Sequence, residues 1–124
     1  MPQLSAGSPP QVVDAYHRAW TTGDIDRAME HIAPDATFTA PGDQVAGAAD
    51  WRAYLAGFQP RLTAVPEHTR LSSGDQVALW YYPQTAGTST ALACELFTVR
   101  DGRISDIRLV FDRLSYGPPA QPTP

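Results

Sequence analysis

A single glutamate stands inside an apolar run, and this placement makes it the first candidate for chemistry. Glu95 lies within residues 91–97 (ALACELF), a pattern that is typical of a strand buried on both faces. Burial raises the pKa of a carboxyl group, because the charged form loses its hydration. The sequence therefore predicts that Glu95 keeps a proton near neutral pH and can donate it.

The alternative for Glu95 is a structural ion pair, and the register of the next hairpin decides between the two. If the turn at Asp101 has two residues, Glu95 lies opposite Arg108 and the two charges can pair across the strands. If the turn has three residues with a glycine bulge, Glu95 lies opposite Ile107. Ile107 and Leu109 then share its face, and Arg108 points away.

Three other side chains are candidates for moving a proton, and each has a structural alternative. Asp43 follows a proline and a glycine, so it is either a general base or a turn residue. His68 is a candidate base near neutral pH. It follows Glu67 on a predicted strand, where their side chains point to opposite faces, and two such polar neighbours are also typical of an exposed strand edge. Tyr16 falls on the apolar stripe of the first predicted helix, where its hydroxyl either has a buried partner such as Glu95 or reaches water as in an ordinary core tyrosine.

The elements that must position these residues are predicted from the apolar pattern. A capping box at residues 8–11 starts a first helix that ends at Gly23, a second runs from Asp24 to Pro34, and a third covers 48–58. Strands are predicted at the following ranges: 36–39, 62–72, 76–84, 88–99 and 103–114. The later strands form an antiparallel meander, so the fold class is α+β, with three N-terminal helices packed on one face of a strongly curved, mostly antiparallel sheet.

No metal site is expected, since the histidines and Cys94 lack the spacing of metal ligands. His17 and His31 fall on the polar sides of the first two helices and are expected to be solvated. Cys94 is expected to be a buried, small apolar residue.

The order of elements and four short motifs resemble the nuclear transport factor 2-like (NTF2-like) superfamily, which includes ketosteroid isomerase, limonene epoxide hydrolase and the SnoaL-type polyketide cyclases. The motifs lie at residues 12–16 (VVDAY), 22–26 (TGDID), 35–38 (DATF) and 97–104 (FTVRDGRI). The resemblance implies a sheet curled into a cone around a deep apolar pocket. It also implies a homodimer formed through the outer face of the sheet.

The same resemblance assigns roles to individual residues. Glu95 matches the buried acid with which ketosteroid isomerase holds an oxyanion, and Tyr16 matches the tyrosine that assists it. These matches favour the register that turns Glu95 inward. Ala40, just before Pro41, stands where the isomerase carries its general base, and a methyl group cannot take a proton. The proton acceptor is then another residue, such as Asp43 or His68, or the protein binds without catalysis.

The pocket that the resemblance implies is expected to be lined mainly by aromatic side chains, each of which could also be ordinary core. Its predicted lining comprises Trp20, Ala40, Trp51, Tyr54, Leu55, Phe58, Trp80, Tyr82, Phe97, Leu109 and Phe111. Such walls favour a large apolar ligand with a few polar contacts.

Length and composition narrow the remaining choices. The chain has 124 residues, which predicts one domain over residues 1–116 and a proline-rich, disordered tail at 117–124. Its net charge of −4 argues against a nucleic-acid partner. The apolar runs are too short to span a membrane, and a lone cysteine fits a cytoplasmic location.

Two functions of different class follow from these observations. The first is a small, cofactor-free enzyme that isomerises, cyclises or opens the epoxide of an apolar polyketide-, terpenoid- or steroid-like molecule. The second is a non-catalytic small-molecule-binding or assembly protein of the same fold, which the alanine at position 40 favours.

Overall fold

The computed structural model describes residues 7–42, 45–66, 69–88 and 91–112, which fold into an α+β arrangement. Two helices come first, a strand and a third helix follow, and strands complete the described chain. The α+β class is therefore confirmed. The predicted tail at 117–124 and the candidate bases Asp43 and His68 lie outside the described residues. Within the described ranges, no helix combines the length and apolar character needed to cross a bilayer.

The helices begin where the capping signals predict. At the start of α1 (Pro9–Thr21), the Ser8 hydroxyl accepts the Gln11 backbone N–H and the Gln11 side chain accepts the Ser8 N–H. Asp24 caps α2 (Ile25–Glu30). The third helix is α3 (Ala48–Phe58), which continues into a short 3-10 turn.

Seven strands form two sheets in the described part of the chain. They are β1 (Ile32–Thr39), β2 (Leu62–Ala64), β3 (Thr69–Ser73), β4 (Gln76–Tyr81), β5 (Gln84–Thr85), β6 (Ala93–Arg100) and β7 (Arg103–Phe111). The larger sheet has the order β1-β7-β6-β4-β3, with β1 parallel to β7 and every other pair antiparallel. β2 and β5 form a separate pair.

Three predicted elements are divided differently by the structure, including the strand predicted over 76–84, which is split into β4 and β5. The sequence predicts that the second helix runs to Pro34, but it ends at Glu30, and Ile32 instead pairs with Ile104 of β7. Pro34 is tolerated within β1 because that strand lies at the edge of the sheet. The strand predicted over 62–72 is split into β2 and β3, around Pro66.

The hairpin between β6 and β7 combines a two-residue turn with a bulge at Ser105. Position 99 pairs with 104 next to the turn, but Thr98 already pairs with Asp106. Glu95 consequently lies opposite Leu109, which is neither of the partners that the two predicted registers gave it. The extra residue has the same effect on facing as the three-residue loop would have had.

The larger sheet has two chemically different faces. On the inner face, α1 packs with the Tyr16 ring edge-on to Phe97, at 5.7 Å between ring centroids. Its buried members on β4, β6 and β7 include Val77, Leu79, Tyr81, Glu95, Phe97, Ile107 and Leu109. The outer face carries polar and exposed apolar side chains, among them Leu71, Trp80, Asp106, Arg108 and Val110.

Candidate functional site

Glu95 occupies the centre of the inner face. Its position on β6 lies between Leu79 of β4 and Leu109 of β7, and only 2% of its surface is exposed. Arg108 pairs with Leu96, whose side chain points to the outer face, so the cross-strand ion pair with Glu95 does not form. The predicted burial of Glu95 is therefore confirmed, and the carboxyl lies among apolar neighbours.

Tyr81 is the hydrogen-bond partner of Glu95. Its hydroxyl donates to Glu95 Oε1 at 2.6 Å, and both groups are buried. Burial raises the pKa of Glu95 to about 7, although the Tyr81 hydrogen bond acts in the opposite direction. Burial, followed by the nearby Glu95 charge, raises the pKa of Tyr81 well above its ordinary value, so the tyrosine stays protonated. Near neutral pH, Glu95 is thus available both as an acid and as a carboxylate.

Tyr16 faces the same interior from α1, and Trp51 of α3 fixes its hydroxyl. The Trp51 Nε1–H donates to the Tyr16 oxygen at 2.8 Å, and both side chains are fully buried. Burial, and after it the Glu95 charge, raises the pKa of Tyr16 well above its ordinary value. Because its oxygen accepts from Trp51, the Tyr16 O–H proton is directed to an acceptor elsewhere.

An aromatic stack holds Trp51 in place. Its ring is stacked on Phe38 of β1 at 5.0 Å and on Tyr54 of α3 at 5.1 Å between ring centroids. Stacking against two rings fixes the plane of the indole and therefore the direction of its N–H. The hydrogen bond to Tyr16 is positioned by the α3–β1 packing as well as by its own two partners.

The expectation that His17 is solvated is wrong. His17 is only 6% exposed, and its ring lies 4.6 Å from Tyr81 and 6.0 Å from Trp20 between centroids. Val13, His17 and Trp20 follow the i, i+4, i+7 spacing of the buried stripe of α1. That spacing could have placed His17 inside, but its polar type favoured the opposite interpretation.

The predicted lining residues divide into interior and outer positions. Trp20, Ala40, Trp51, Leu55, Phe97 and Leu109 are buried, while Tyr54, Phe58, Tyr82 and Phe111 are half-buried. The interior placement predicted for Trp80 is wrong, since Trp80 lies opposite Cys94 on the outer face and is 42% exposed. The inward aromatic residue of β4 is Tyr81, which the sequence analysis missed.

The structure leaves two parts of the predicted site without a description. Asp43 and His68 are outside the described residues, so their use as bases stays a prediction. In the described ranges, no three histidine, cysteine or acidic side chains group closely enough to hold a metal ion. What the described residues bring together is one buried acid, Glu95, with the hydroxyls of Tyr81 and Tyr16.

The chain is similar to known proteins in both sequence and structure. Residues 13–107 match the model of the SnoaL-like domain. A protein of Kribbella flavida DSM 17836 is similar in structure, with a TM-score of 0.80 and 35% identity over 86% of this chain and 88% of its own. No curated protein matches the chain.

Two more distant structures share the fold. An NTF2-like protein of unknown function from Cytophaga hutchinsonii ATCC 33406 has a TM-score of 0.75 and 18% identity, over 88% of this chain and 94% of its own. A protein of Xanthomonas campestris pv. campestris, provisionally named a polyketide cyclase, has a TM-score of 0.72 and 18% identity, over 87% and 93%.

Proposed function

Since this chain belongs to the SnoaL-like family of NTF2-like proteins, we propose that it binds an apolar, oxygen-bearing small molecule against the inner face and catalyses acid–base chemistry on it. The observation that carries the proposal is the buried carboxyl of Glu95, which is held by the neutral Tyr81 hydroxyl. A carboxyl in such surroundings can keep its proton at neutral pH and donate it to a bound ligand.

The proposed step begins with hydrogen bonds from Tyr16 and protonated Glu95 to one carbonyl oxygen of the ligand. A base, Asp43 or His68, removes a proton from the carbon next to that carbonyl. The electron pair of the broken C–H bond forms a C=C bond while the C=O π pair moves to the oxygen, and the two donors stabilise the resulting enolate or enol. In a β,γ-unsaturated ketone, return of the proton at the γ-carbon gives isomerisation. Attack of the enol carbon on a second carbonyl, whose oxygen takes up the proton, gives cyclisation.

The substrate class of this proposal is a polyketide-, terpenoid- or steroid-like molecule. Apolar and aromatic side chains dominate the inner face, so the ligand should be largely apolar with few oxygens. A relative of the same fold carries the provisional name of polyketide cyclase, which supports a polyketide among these classes. For an epoxide, Glu95 would protonate the ring oxygen as its C–O bond breaks, while water adds to the carbon and gives a proton to the base, Asp43 or His68.

Ala40 favours a second candidate function, binding without catalysis. It is 8% exposed and belongs to the buried apolar cluster, where its methyl group offers no proton acceptor. A protein that kept the acid and the hydroxyls but lost the base would hold the ligand and leave it unchanged.

Hydrogen exchange next to a carbonyl separates the two candidates without knowledge of the natural substrate. In D₂O at pH 6, we expect the protein to accelerate deuterium uptake by 1-decalone or 5α-androstan-3-one, measured by mass spectrometry. Glu95→Gln should lower this acceleration about a hundredfold or more, because it removes the proton donor. Asp106→Asn, on the outer face, is the matched control and should retain the activity.

Each outcome of that experiment favours or contradicts a candidate function or the assigned role of Glu95. Binding of either ketone by calorimetry with no exchange in the wild-type protein would favour the binding function. Exchange that survives Glu95→Gln would contradict the assigned role of Glu95. Neither binding nor exchange with either ketone would contradict both candidates.

We also propose that the outer face pairs with the outer face of a second copy. Three large apolar side chains are exposed there, Leu71 at 62%, Trp80 at 42% and Val110 at 65%. The outer face also has a polar cavity of about 520 Å³, which is lined by both acidic and basic side chains, including Asp106 and Arg108. A two-fold axis brings one such face onto its own copy, so apolar surface meets apolar surface and opposite charges can pair.

The oligomeric state tests this pairing. Light scattering after size-exclusion chromatography should give a dimer mass at micromolar concentration, and Val110→Asp should weaken association about tenfold or more by placing a charge in the contact. Val110→Ile keeps the surface apolar and serves as the control. A monomer mass for the wild-type protein at high concentration would contradict the pairing.

A further inference from the structure

The indole N–H of Trp20 is a buried donor for which the described parts of the chain provide no acceptor. Trp20 is 3% exposed, and its Nε1 is shielded from solvent. The other indoles differ, since Trp51 donates to Tyr16 and Trp80 is 42% exposed to water. Buried polar groups are almost always paired, because an unpaired donor has lost its hydration with no compensating bond. An indole nitrogen can only donate, so the complementary group is an acceptor.

The position of Trp20 relates it to the buried acid. Trp20 and Tyr16 lie four residues apart on the buried stripe of α1, about 6 Å along the helix axis. His17 contacts Trp20 on one side and Tyr81 on the other, and Tyr81 bonds to Glu95. The Trp20 donor and the Glu95 site are therefore parts of one buried layer between α1 and the sheet.

Trp20 has a second aromatic neighbour besides His17. Its ring packs against Phe58, at the end of α3, with 6.4 Å between ring centroids. A ligand oxygen that reached this position would find one donor within an aromatic wall. Such a donor discriminates between ligands, because a molecule without an oxygen there leaves the N–H unpaired.

We propose that Trp20 donates a hydrogen bond to a second oxygen of the ligand. The ligand is then an apolar molecule with two acceptor oxygens, one held by Tyr16 and Glu95 and the other held by Trp20. A diketone or a keto ester fits this requirement, whereas a monoketone satisfies only half of it. This inference rests on the proposed function, since it needs the ligand to lie against the inner face.

Matched pairs of ketones test the requirement for a second oxygen. Binding of 1-decalone is compared with decalin-1,5-dione, and binding of 5α-androstan-3-one with 5α-androstane-3,17-dione, by calorimetry. The two frames differ in the spacing of their oxygens, and at least one diketone should bind about tenfold more tightly than its monoketone. Trp20→Phe should remove that advantage, so that each diketone binds no more tightly than its monoketone. Trp80→Phe, which removes an outer-face indole, should change neither.

The indole resonances of the wild-type protein give a second measurement that does not depend on the folding of a variant. In a ¹⁵N–¹H correlation spectrum, the Trp20 N–H should resonate in the range of a non-hydrogen-bonded indole. It should move downfield when the diketone binds, while the Trp80 signal stays in place. Assignment uses through-bond correlation, with Trp80→Phe removing one signal.

Three results would overturn the role of Trp20. One is a Trp20 resonance that is already hydrogen-bonded and does not move on diketone binding. Another is equal binding within both ketone pairs, and the third is an equal loss of both ketones in Trp20→Phe, which would indicate lost packing. Each leaves the proposed function intact as long as monoketones bind and Glu95→Gln abolishes exchange. If no ketone of either pair binds, the proposed function fails together with this inference.

Discussion

The two faces of the sheet carry carboxyl groups whose surroundings are opposite in kind. On the inner face, Glu95 is 2% exposed and accepts a hydrogen bond from the neutral Tyr81 hydroxyl. On the outer face, Asp106 accepts the Thr37 hydroxyl at 2.6 Å and the Arg108 Nε–H at 3.2 Å, near solvent. Both acids belong to the β6–β7 hairpin, so strand alternation alone separates a candidate proton donor from a surface ion pair.

The contrast shows that the facing of a residue decides its chemistry here more than its type does. A guanidinium beside Glu95 would favour its charged form and keep it from acting as a proton donor. The bulge at Ser105 prevents this arrangement, because it turns Asp106 and Arg108 outward while Ile107 and Leu109 stay inward. The hairpin therefore protects the buried acid through its geometry.

The largest expected difference between the faces is in stability. Phe97→Ala removes a fully buried inner-face ring and should lower the free energy of unfolding by about 3–5 kcal/mol. Val110 lies on the outer face and is 65% exposed, so Val110→Ala should change the free energy of unfolding by less than about 0.5 kcal/mol. Urea denaturation at low protein concentration, where a dimer would not contribute, measures both. Similar losses in the two variants would contradict the assignment of the faces.

The pH dependence of stability tests the buried acid directly. Glu95 has a pKa raised from its ordinary value of 4.5 to about 7. Between these values the unfolded chain has released the proton while the folded chain retains it. The contribution of Glu95 to stability is therefore full below about pH 4.5 and is lost as the pH rises through 7. The loss contributed by Glu95 should be about 3 kcal/mol.

Glu95→Gln should remove that decline, since the amide stays neutral throughout. Urea titrations at pH 5, 6, 7 and 8 measure the slope, and Asp106→Asn is the outer-face control that should retain it. A wild-type slope that persists in Glu95→Gln would mean that Glu95 is ionised in the folded protein, which would remove the basis for its role as an acid.

Tyr81→Phe should leave the inner carboxyl of Glu95 without its hydrogen-bond partner. The Tyr81 hydrogen bond lowers the pKa of Glu95, so its loss should move the pH at which the decline in stability levels off to a value above 7. Leaving a buried acceptor unpaired should also cost about 1–2 kcal/mol of stability. Tyr82→Phe, at the next and half-buried position, is the control. A decline that still levels off at pH 7, or at a lower pH, would contradict the hydrogen bond.

The sequence predicts the inner face only in part, and the reasons are physical. The apolar run around Glu95 favours its burial but leaves the ion pair with Arg108 open. The choice between Trp80 and Tyr81 is not predictable from type, since both are aromatic and suit either face of a strand. Pairing decides it, because Leu79 lies opposite Glu95 and Tyr81 therefore shares its face. The bulge at Ser105 is also not predictable from the sequence, since the local sequence permits either a two-residue or a three-residue turn and does not show where an extra residue is inserted.

The smallest expected effect concerns the outer ion pair. Arg108→Gln removes the Nε–H that Asp106 accepts, but the guanidinium side chain is 67% exposed, and such pairs contribute at most about 1 kcal/mol. The Thr37 hydroxyl still donates to Asp106 in this variant, which limits the loss further. Urea denaturation at low protein concentration should give a change below about 1 kcal/mol that shrinks in 0.5 M salt. A loss as large as that of Phe97→Ala would mean that Asp106 is buried, and the proposed contrast between the two faces would not hold.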